Sequence, residues 1–135
     1  MFNIEQSLVF ALSKARQRTS DIFRDEFKEF RITPTQFILL AMLWKTDGLS
    51  QNEICRKTKI DRTTISGVID RLEESEFLER KKTPVDHRVR RLWLTDKGRS
   101  LEQDLCHAAY RLRHRIEERL VPGERKQLQR LLHKL

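Results

Sequence analysis

The amino-acid sequence predicts a mainly α-helical protein with one small β-hairpin. Apolar residues recur at about every third or fourth position along most of the chain, the spacing of one helix face. Helix-capping residues precede several of these segments, and one basic segment has two arms rich in β-compatible side chains around a turn that contains Pro and Asp. The chain has 135 residues, which is long enough to bury one core but short for two independent ones.

Two long helices are predicted in the first third of the chain. The first runs from Ser7 to Phe30, and its apolar stripe consists of Leu8, Ala11, Leu12, Ala15, Ile22, Phe23, Phe27 and Phe30. The segment Thr33-Pro34-Thr35-Gln36 combines an N-cap, a proline at the first helical position and a capping-box glutamine. A second, strongly apolar helix therefore begins there, and Asp47-Gly48 ends it.

Two shorter helices are predicted to form a helix-turn-helix. Ser50-Gln51-Asn52-Glu53 is a second capping box, and the helix that it opens fades by Lys59. Asp61 is the N-cap of the next helix, which exposes small polar and basic groups suited to a nucleic-acid groove and buries Ile65, Val68, Ile69 and Leu72. A solvated amphipathic helix would look similar, so this motif alone leaves both interpretations open.

The stretch from Arg80 to Gly98 predicts a basic hairpin. Its arms, Phe77–Lys82 and Val89–Leu94, flank a polar turn over Thr83–Arg88. Six Lys or Arg and one acid lie between Arg80 and Arg91, a density of like charge that folding alone does not favour. A hairpin that serves only solubility is the alternative. Directly after a helix-turn-helix, the hairpin is better interpreted as a wing that lies on phosphate.

The remaining helices are predicted to form a dimer surface. Thr95-Asp96 caps a last long helix, and Pro122-Gly123-Glu124 breaks it and begins a short terminal helix. These helices and the first one keep full apolar stripes outside the helix-turn-helix and wing, so a two-fold partner would cover them. We therefore expect one domain over residues 1–135, with dimerisation helices in 1–31 and 99–135 and a winged helix-turn-helix in 32–98.

The charge of the chain favours a polyanionic partner. The formal net charge is +8, which indicates nucleic acid first and an anionic membrane second. Residues 1–49 carry seven basic and six acidic side chains, so the excess lies in the hairpin and in the C-terminal residues. No apolar run approaches the ~18 residues of a membrane span. We expect a cytoplasmic protein with no membrane partner.

Residue types that carry catalysis or bind metals show no recognisable arrangement. Cys55 and Cys106 lack metal-ligand spacing and fall within helical patterns, which favours packing thiols. The four histidines show only a weak pair seven residues apart, and there is no nucleophile setting or Gly-rich phosphate loop. We expect no enzymatic activity, no cofactor and no metal.

The order of these elements, with D-x-R at Asp86 to Arg88 and the motif Leu94-Thr95-Asp96-Lys97-Gly98, resembles the MarR family of bacterial transcription regulators. The resemblance covers nearly the whole chain and is strongest in Thr33–Leu43, Ile60–Leu78 and Asp86–Gly98. It implies a homodimer with one winged helix-turn-helix in each protomer and a pseudo-palindromic operator in double-stranded DNA. It also implies frequent repression, and release of DNA when a phenolic or aromatic carboxylate binds.

The resemblance also implies roles for individual residues. Side chains in the first turns of the recognition helix reach base edges, and Arg62 is suited to a bidentate guanine contact. Arg88 is similar to the wing-tip arginine that enters the minor groove, with Asp86 orienting it or serving only as an Asx-turn acceptor. Arg80, Lys81, Lys82, Arg90 and Arg91 are expected to contact phosphates. The expected DNA contacts are Gln51, Arg62, Thr63, Thr64, Ser66, Arg71, Arg80, Lys81, Lys82, Asp86, Arg88 and Arg90.

Two features depart from the family pattern, at Glu76 and at the cysteines, and one glycine has an expected structural role. Glu76 occupies a position where the family commonly has Gly, so a left-handed backbone there would be strained by about 1 kcal/mol. Gly67 lies within the recognition helix, where it is expected to allow close packing or close approach. Neither cysteine lies in the first helix, so peroxide sensing through an N-terminal cysteine is not expected.

An effector pocket is expected among the first helix, the helix that begins at Pro34 and the long C-terminal helix. Arg16 and Arg31 are the candidates for gripping a carboxylate, with Phe37, Met42 and Trp44 as apolar lining. The ordinary alternative is that these arginines are solvated or paired and that the aromatic residues belong to the core.

The function that these observations predict is a sequence-specific, DNA-binding transcriptional regulator, a repressor released by a small aromatic or phenolic ligand. One alternative is a basic architectural protein that binds DNA without sequence specificity. Another is a protein-interaction module whose wing no longer binds DNA. The sequence leaves open the operator, the regulated genes, the choice between repression and activation, and the identity of any effector.

Overall fold

A computed structural model describes all 135 residues of the chain. The protein is mainly α-helical with one small three-stranded sheet, as predicted. A 3-10 turn over Ile4–Gln6 precedes the first helix. The helices are α1 (Leu8–Phe27), α2 (Pro34–Lys45), α3 (Gln51–Thr58), α4 (Arg62–Glu74), α5 (Asp96–Ser100), α6 (Glu102–Glu117) and α7 (Glu124–Leu132). The strands are β1 (Leu49–Ser50), β2 (Leu78–Lys82) and β3 (Arg90–Leu94).

The chain divides into two compact units. Residues 1–29 and 107–135 form the terminal unit, and residues 30–106 form the winged unit. The winged unit contains the helix-turn-helix and the whole sheet. Every residue that the sequence predicts to contact DNA therefore belongs to one unit.

The helix starts follow from local capping. Thr33 Oγ1 accepts from the Gln36 N–H at 3.2 Å, and the Gln36 side chain accepts from the Thr33 N–H at 2.9 Å. Ser50 and Glu53 make the same reciprocal pair. Both predicted capping boxes are confirmed. Each satisfies two backbone N–H groups that would otherwise lack a partner at a helix start.

The helix-turn-helix is built as the sequence predicts. Lys59 ends α3 in the left-handed conformation with φ 57°, and its N–H donates to the Cys55 carbonyl at 2.8 Å. Asp61 then caps α4. The buried face of this pair consists of Ile54, Ile65, Val68, Ile69 and Leu72. This buried face fixes the rotation of α4 about its own axis, and therefore also fixes which residues of α4 face outward.

The sheet is antiparallel with strand order β1–β3–β2. In the β2–β3 hairpin Leu78 pairs with Leu94 and Arg80 with Leu92, which puts the apolar residues on one face. Strand β1 was not predicted. It has only two residues, and Leu49 pairs with Leu92 across a gap in sequence that no local periodicity can show.

One segment differs from its predicted form, and the terminal helix begins where predicted. The helix predicted to run unbroken from Thr95 is interrupted, because α5 ends at Ser100 and α6 begins only at Glu102. The Ser100 hydroxyl donates to the Lys97 carbonyl at 2.7 Å and so competes with the helical backbone bonds. The terminal helix follows Gly123, which has φ 92°, and Glu124 Oε1 accepts from the Val121 N–H at 2.8 Å.

The terminal unit is held by charged contacts between α1 and α6. Arg115 Nη1 lies 2.7 Å from Asp25 Oδ2 and 3.1 Å from Glu26 Oε1, and Arg111 Nε lies 2.9 Å from Glu26 Oε2. The hydrogen bond from Arg115 lowers the pKa of Asp25, and that from Arg111 lowers the pKa of Glu26. Exposed apolar side chains cluster near both chain ends.

None of the helices combines the length and the apolar composition that a membrane span requires.

Candidate nucleic-acid interface

The start of α4 is organised by its N-cap. Asp61 Oδ2 accepts from the Thr64 N–H at 3.0 Å, and Asp61 Oδ1 accepts from the Thr64 hydroxyl at 2.7 Å. These two bonds, that from the hydroxyl first, lower the pKa of the Asp61 carboxyl. Thr63 and Thr64 are exposed, and Ser66 is half-buried. The Thr64 hydroxyl therefore donates its one hydrogen bond to Asp61 and presents only acceptor lone pairs to solvent.

The first turn of α3 holds the first residue of α4. Arg62 Nη1 donates to Asn52 Oδ1, and the Gln51 side-chain amide donates to the Arg62 carbonyl at 3.5 Å. Gln51 was predicted as a DNA contact, whereas the role of Asn52 was missed. Asn52 and Arg62 lie on different helices, so only the tertiary structure reveals their contact.

The base of the wing is tied to the end of α2. Asp47 Oδ1 accepts from the Leu94 N–H at 2.9 Å and from the Gly48 N–H at 3.1 Å. Gly48 has φ 77°, and a Cβ there would lie 2.6 Å from the Trp93 ring. Only glycine fits this left-handed, closely packed position. Asp47-Gly48 therefore ends α2, as predicted, and also anchors β3.

The tip of the wing is an ordered turn. The Thr83 hydroxyl donates to the Asp86 carbonyl at 2.6 Å and accepts from the Asp86 N–H at 3.0 Å. Asp86 Oδ1 accepts from the Arg88 N–H at 3.0 Å and lies 3.6 Å from Arg88 Nε. Asp86 is thus an Asx-turn acceptor and a partner of the guanidinium at once. The Arg88 side chain is 95% exposed, so the turn presents a cation to solvent.

The other basic residues of the hairpin divide by their partners. Lys81, Lys82 and Arg90 are exposed, and Lys81 Nζ lies 3.5 Å from Glu79. Arg91 Nη1 donates to the Gly48 carbonyl at 2.9 Å. Arg91 Nη1 also lies 3.8 Å from Glu53 Oε2. Arg80 differs from the three exposed residues and from Arg91 in pairing with two acids of α4, Asp70 and Glu73. The sequence led us to expect a phosphate contact from Arg80, but the structure shows it engaged within the protein.

A surface cleft of about 180 Å³ joins the two helix starts to the wing. It is lined by Ser50, Gln51, Asn52, Arg62, Arg88, Val89 and Arg90. The cleft brings together four residues that the sequence placed in separate elements, namely Gln51, Arg62, Arg88 and Arg90. Two helix N-termini and three guanidinium groups make this region attractive to phosphate. Arg71 is exposed in the last turn of α4 and does not line the cleft.

The predicted effector residues lie in both units. Arg16 is exposed on α1 of the terminal unit, and Arg31 is exposed in the winged unit with φ 53°. Phe37 and Met42 are half-buried. The Trp44 indole N–H donates to the Gly98 carbonyl at 3.0 Å, and its ring packs edge-on against Phe37. Trp44 therefore has a structural bond to the start of α5, beyond its predicted role as apolar lining.

Metal-binding residue types do not cluster. No group of three or more His, Cys, Asp or Glu side chains is placed to hold a metal ion. Cys55 and Cys106 are free, half-buried thiols, and burial raises the pKa of Cys106. A raised pKa reduces the thiolate fraction and with it the reactivity of this cysteine.

Comparison with known proteins agrees with this geometry. The sequence model of the MarR family matches residues 32–89, which span α2, the helix-turn-helix and most of the wing. The transcriptional repressor CouR, solved bound to a 23-mer DNA duplex, is 31% identical with a TM-score of 0.87, covering 97% of this chain and 93% of that one. The chain belongs to the MarR family. It is accordingly a DNA-binding transcriptional regulator.

Two further relatives match over nearly the full chain. The MarR-family chain is 27% identical to the transcriptional regulator MgrA of Staphylococcus aureus, over 98% of its own length and 90% of that protein. BpsR of Bordetella bronchiseptica is 28% identical with a TM-score of 0.93, covering 99% of this chain and 96% of that one. The BpsR structure concerns regulation of its DNA binding by 6-hydroxynicotinic acid.

Proposed function

We propose that this MarR-family regulator is a homodimeric repressor that reads a pseudo-palindromic operator and releases it when a small aromatic or phenolic acid binds. The observation that carries the DNA-binding part is the cleft where the starts of α3 and α4 meet the wing. Its cations come from the recognition helix and from the wing, so both groove-reading elements present positive charge to the same stretch of duplex. The chain's similarity to CouR, a repressor, supports repression.

In this proposal α4 lies in the major groove. Arg62 reads guanine with a bidentate contact that contributes about 1–3 kcal/mol of discrimination, while Thr63, Thr64 and Ser66 make weaker contacts to base edges. Arg88 enters the minor groove, where narrow A·T-rich stretches concentrate negative potential. The remaining groups position the protein on phosphates, and these are Gln51, Arg71, Lys81, Lys82 and Arg90.

The terminal unit supplies the dimer contacts. Large apolar side chains are exposed there, among them Phe2, Leu8, Val9, Leu128, Leu131, Leu132 and Leu135. A symmetric partner would remove this surface from water, which favours association by about 25 cal/mol per Å² of apolar area. Two recognition helices related by a two-fold axis would read half-sites about 10 base pairs apart.

The effector is proposed by analogy of chemistry with BpsR, whose DNA binding responds to an aromatic acid. Arg31 is an exposed guanidinium group of the winged unit that can grip a carboxylate, and Phe37 and Met42 of the same unit offer apolar contact. Arg16, in the terminal unit, is a separate candidate for the same carboxylate chemistry. Trp44 can contribute its ring face while its N–H stays bonded to Gly98.

The test is selection of bound duplexes from a random pool by the full-length protein. We expect a palindromic winner, bound about 10³-fold or more tightly than random duplex at fixed salt. The winning site is then challenged with a panel of hydroxylated aromatic acids, at least one of which should release it. If an excess of random duplex displaces the protein from the selected site, the result would instead support the architectural alternative, a protein that binds through charge alone.

A further inference from the structure

We propose that Arg80 is a positioning residue that ties the wing to the recognition helix and is needed for DNA binding without contacting DNA. Arg80 lies in the middle of β2, and its guanidinium bridges Asp70 and Glu73 on α4. This side chain is 20% exposed, whereas Arg88 at the tip is 95% exposed. The inference rests on the proposed function in one respect, that α4 and the wing contact the same duplex.

The geometry of this connection is specific. Arg80 Nη1 lies 3.0 Å from Glu73 Oε1, and Arg80 Nη2 donates to Asp70 Oδ1. The backbone N–H of Arg80 also donates to Glu73 Oε2, at 3.2 Å. Asp70 and Glu73 are three residues apart, so they share one face of α4. The fork of a guanidinium can engage both carboxylates at once, which a lysine ammonium on a flexible stem cannot reproduce.

The position of β2 in the sheet explains why the connection matters. The strand order β1–β3–β2 leaves β2 at the edge of the sheet. An edge strand has outward-facing N–H groups without a strand partner, and here the one at Arg80 is bonded to α4. The hairpin beyond this point runs through Lys82 to the exposed tip. The bond at Arg80 therefore sets the direction in which the tip leaves the recognition helix.

The charges around Arg80 give the proposal a sharp test. Asp70 and Glu73 are acids on a helix that is proposed to lie against phosphate, so each would repel DNA if unpaired. If Arg80 contacted phosphate, Glu73→Gln would strengthen DNA binding, because it removes a negative charge nearby. If Arg80 positions the wing, Glu73→Gln weakens binding despite that loss of charge. The two roles predict opposite signs.

The experiment measures the affinity of the full-length protein for its selected duplex and for a random duplex of equal length. We expect Glu73→Gln and Arg80→Ala each to weaken binding about fivefold to tenfold, allowing for solvent screening. The double variant should bind no more weakly than either single variant, because both changes remove the same connection. Glu79→Gln is the matched control, an acid on the same strand that pairs only with Lys81. It should bind DNA as tightly as wild type or more tightly.

Two further measurements separate positioning from a general loss of stability. The charge-swapped variant, Arg80→Glu with Glu73→Arg, should recover part of the lost affinity. Amide exchange of the free protein should show faster exchange of the Arg80 N–H in Glu73→Gln, at an unfolding midpoint close to that of wild type. Tighter DNA binding by Glu73→Gln, or unchanged Arg80 exchange, would overturn the proposal. Faster exchange in a protein that selects no operator would support the connection and overturn the proposed function alone.

Discussion

The base and the tip of the wing are both rich in positive charge, yet their side chains have opposite environments. At the base, Arg80 is 20% exposed and pairs with two acids of α4, and Asp47 holds the Leu94 N–H. At the tip, Arg88 is 95% exposed and lies 3.6 Å from Asp86. Charge density in the sequence identifies the wing but does not separate these roles. Burial and pairing separate them, since a cation already bonded inside the protein is less free to bind phosphate.

The largest expected effect is at the base of the wing, where Gly98 of α5 packs against Phe77, the residue before β2. A Cβ at Gly98 would lie 2.0 Å from the Phe77 carbonyl oxygen, which is backbone and cannot easily move. We expect Gly98→Ala to lower the free energy of unfolding by about 3 kcal/mol, as overpacking does. Denaturant unfolding of the whole protein measures it.

Gly67→Ala is the matched control for this change. Apart from its own helix backbone and chain neighbours, nothing lies within 4 Å of a Cβ at Gly67, so packing inside the chain does not require glycine there. Alanine should stabilise the helix by about 0.5–1 kcal/mol. A similar loss of stability in both variants would refute the packing account of the base. Weaker DNA binding by a stabilised Gly67→Ala would show that DNA approaches α4 closely.

The next effect is at the tip. Arg88→Ala should weaken binding to the selected duplex by about 2 kcal/mol, or roughly 30-fold, because it removes the proposed groove contact. Stability should stay within about 0.5 kcal/mol, since the side chain is exposed. His87→Ala, an adjacent exposed residue of the same turn, serves as the control. Equal losses from both substitutions would mean that the tip acts only through its overall shape.

A smaller effect is expected in the recognition helix, where a contact within the protein also holds an arginine in place. Asn52 accepts a hydrogen bond from Arg62, so Asn52→Ala should reduce discrimination at one base pair by about 1 kcal/mol. Asn52→Asp keeps the acceptor and should retain the preference. Profiles of selected sites from the two variants provide the measurement, and an unaltered profile for Asn52→Ala would exclude this role.

The smallest effect is on pH dependence. The hydrogen bonds from Thr64 lower the pKa of Asp61 in the folded protein, so its cap stabilises the protein above the unfolded carboxyl pKa of about 3.9. This contribution is lost as pH falls through the lower folded pKa. The unfolding free energy of wild type should therefore decline more steeply below about pH 4.5 than that of Asp61→Asn, which caps without titrating. Denaturant titrations at several pH values give these free energies, and a parallel pH dependence for the two proteins would contradict this role of Asp61.

Local features of the fold could be predicted because each depends on a few adjacent residues. The caps at Thr33, Ser50 and Asp61, the two hairpin arms and the buried face of α4 all belong to this class. Glu76 occupies a position where the family commonly has Gly, and its backbone is left-handed there, with φ 63°.

The features that sequence reasoning missed depend on contacts between distant segments. Strand β1 exists because Leu49 meets Leu92, and Arg62 is held by a residue of another helix. Arg80 was grouped with its basic neighbours because alternation along a strand shows which residues share a face but not what that face meets. In each case the partner is set by tertiary packing, which periodicity and capping do not report.

The most direct test of this division of the wing is the salt dependence of DNA binding. Affinities of wild type, Arg88→Ala, Lys82→Ala and Arg80→Ala for the selected duplex are measured across a range of salt concentrations. Each phosphate contact contributes a slope of about 0.9 in log affinity against log salt. We expect the slope to fall by about one per protomer for Lys82→Ala, and likewise for Arg88→Ala because a cation in the minor groove also displaces a counterion. The slope should stay unchanged for Arg80→Ala although its affinity falls. An equal fall in slope for Arg80→Ala would contradict the account, because Arg80 would then be a phosphate contact like its neighbours.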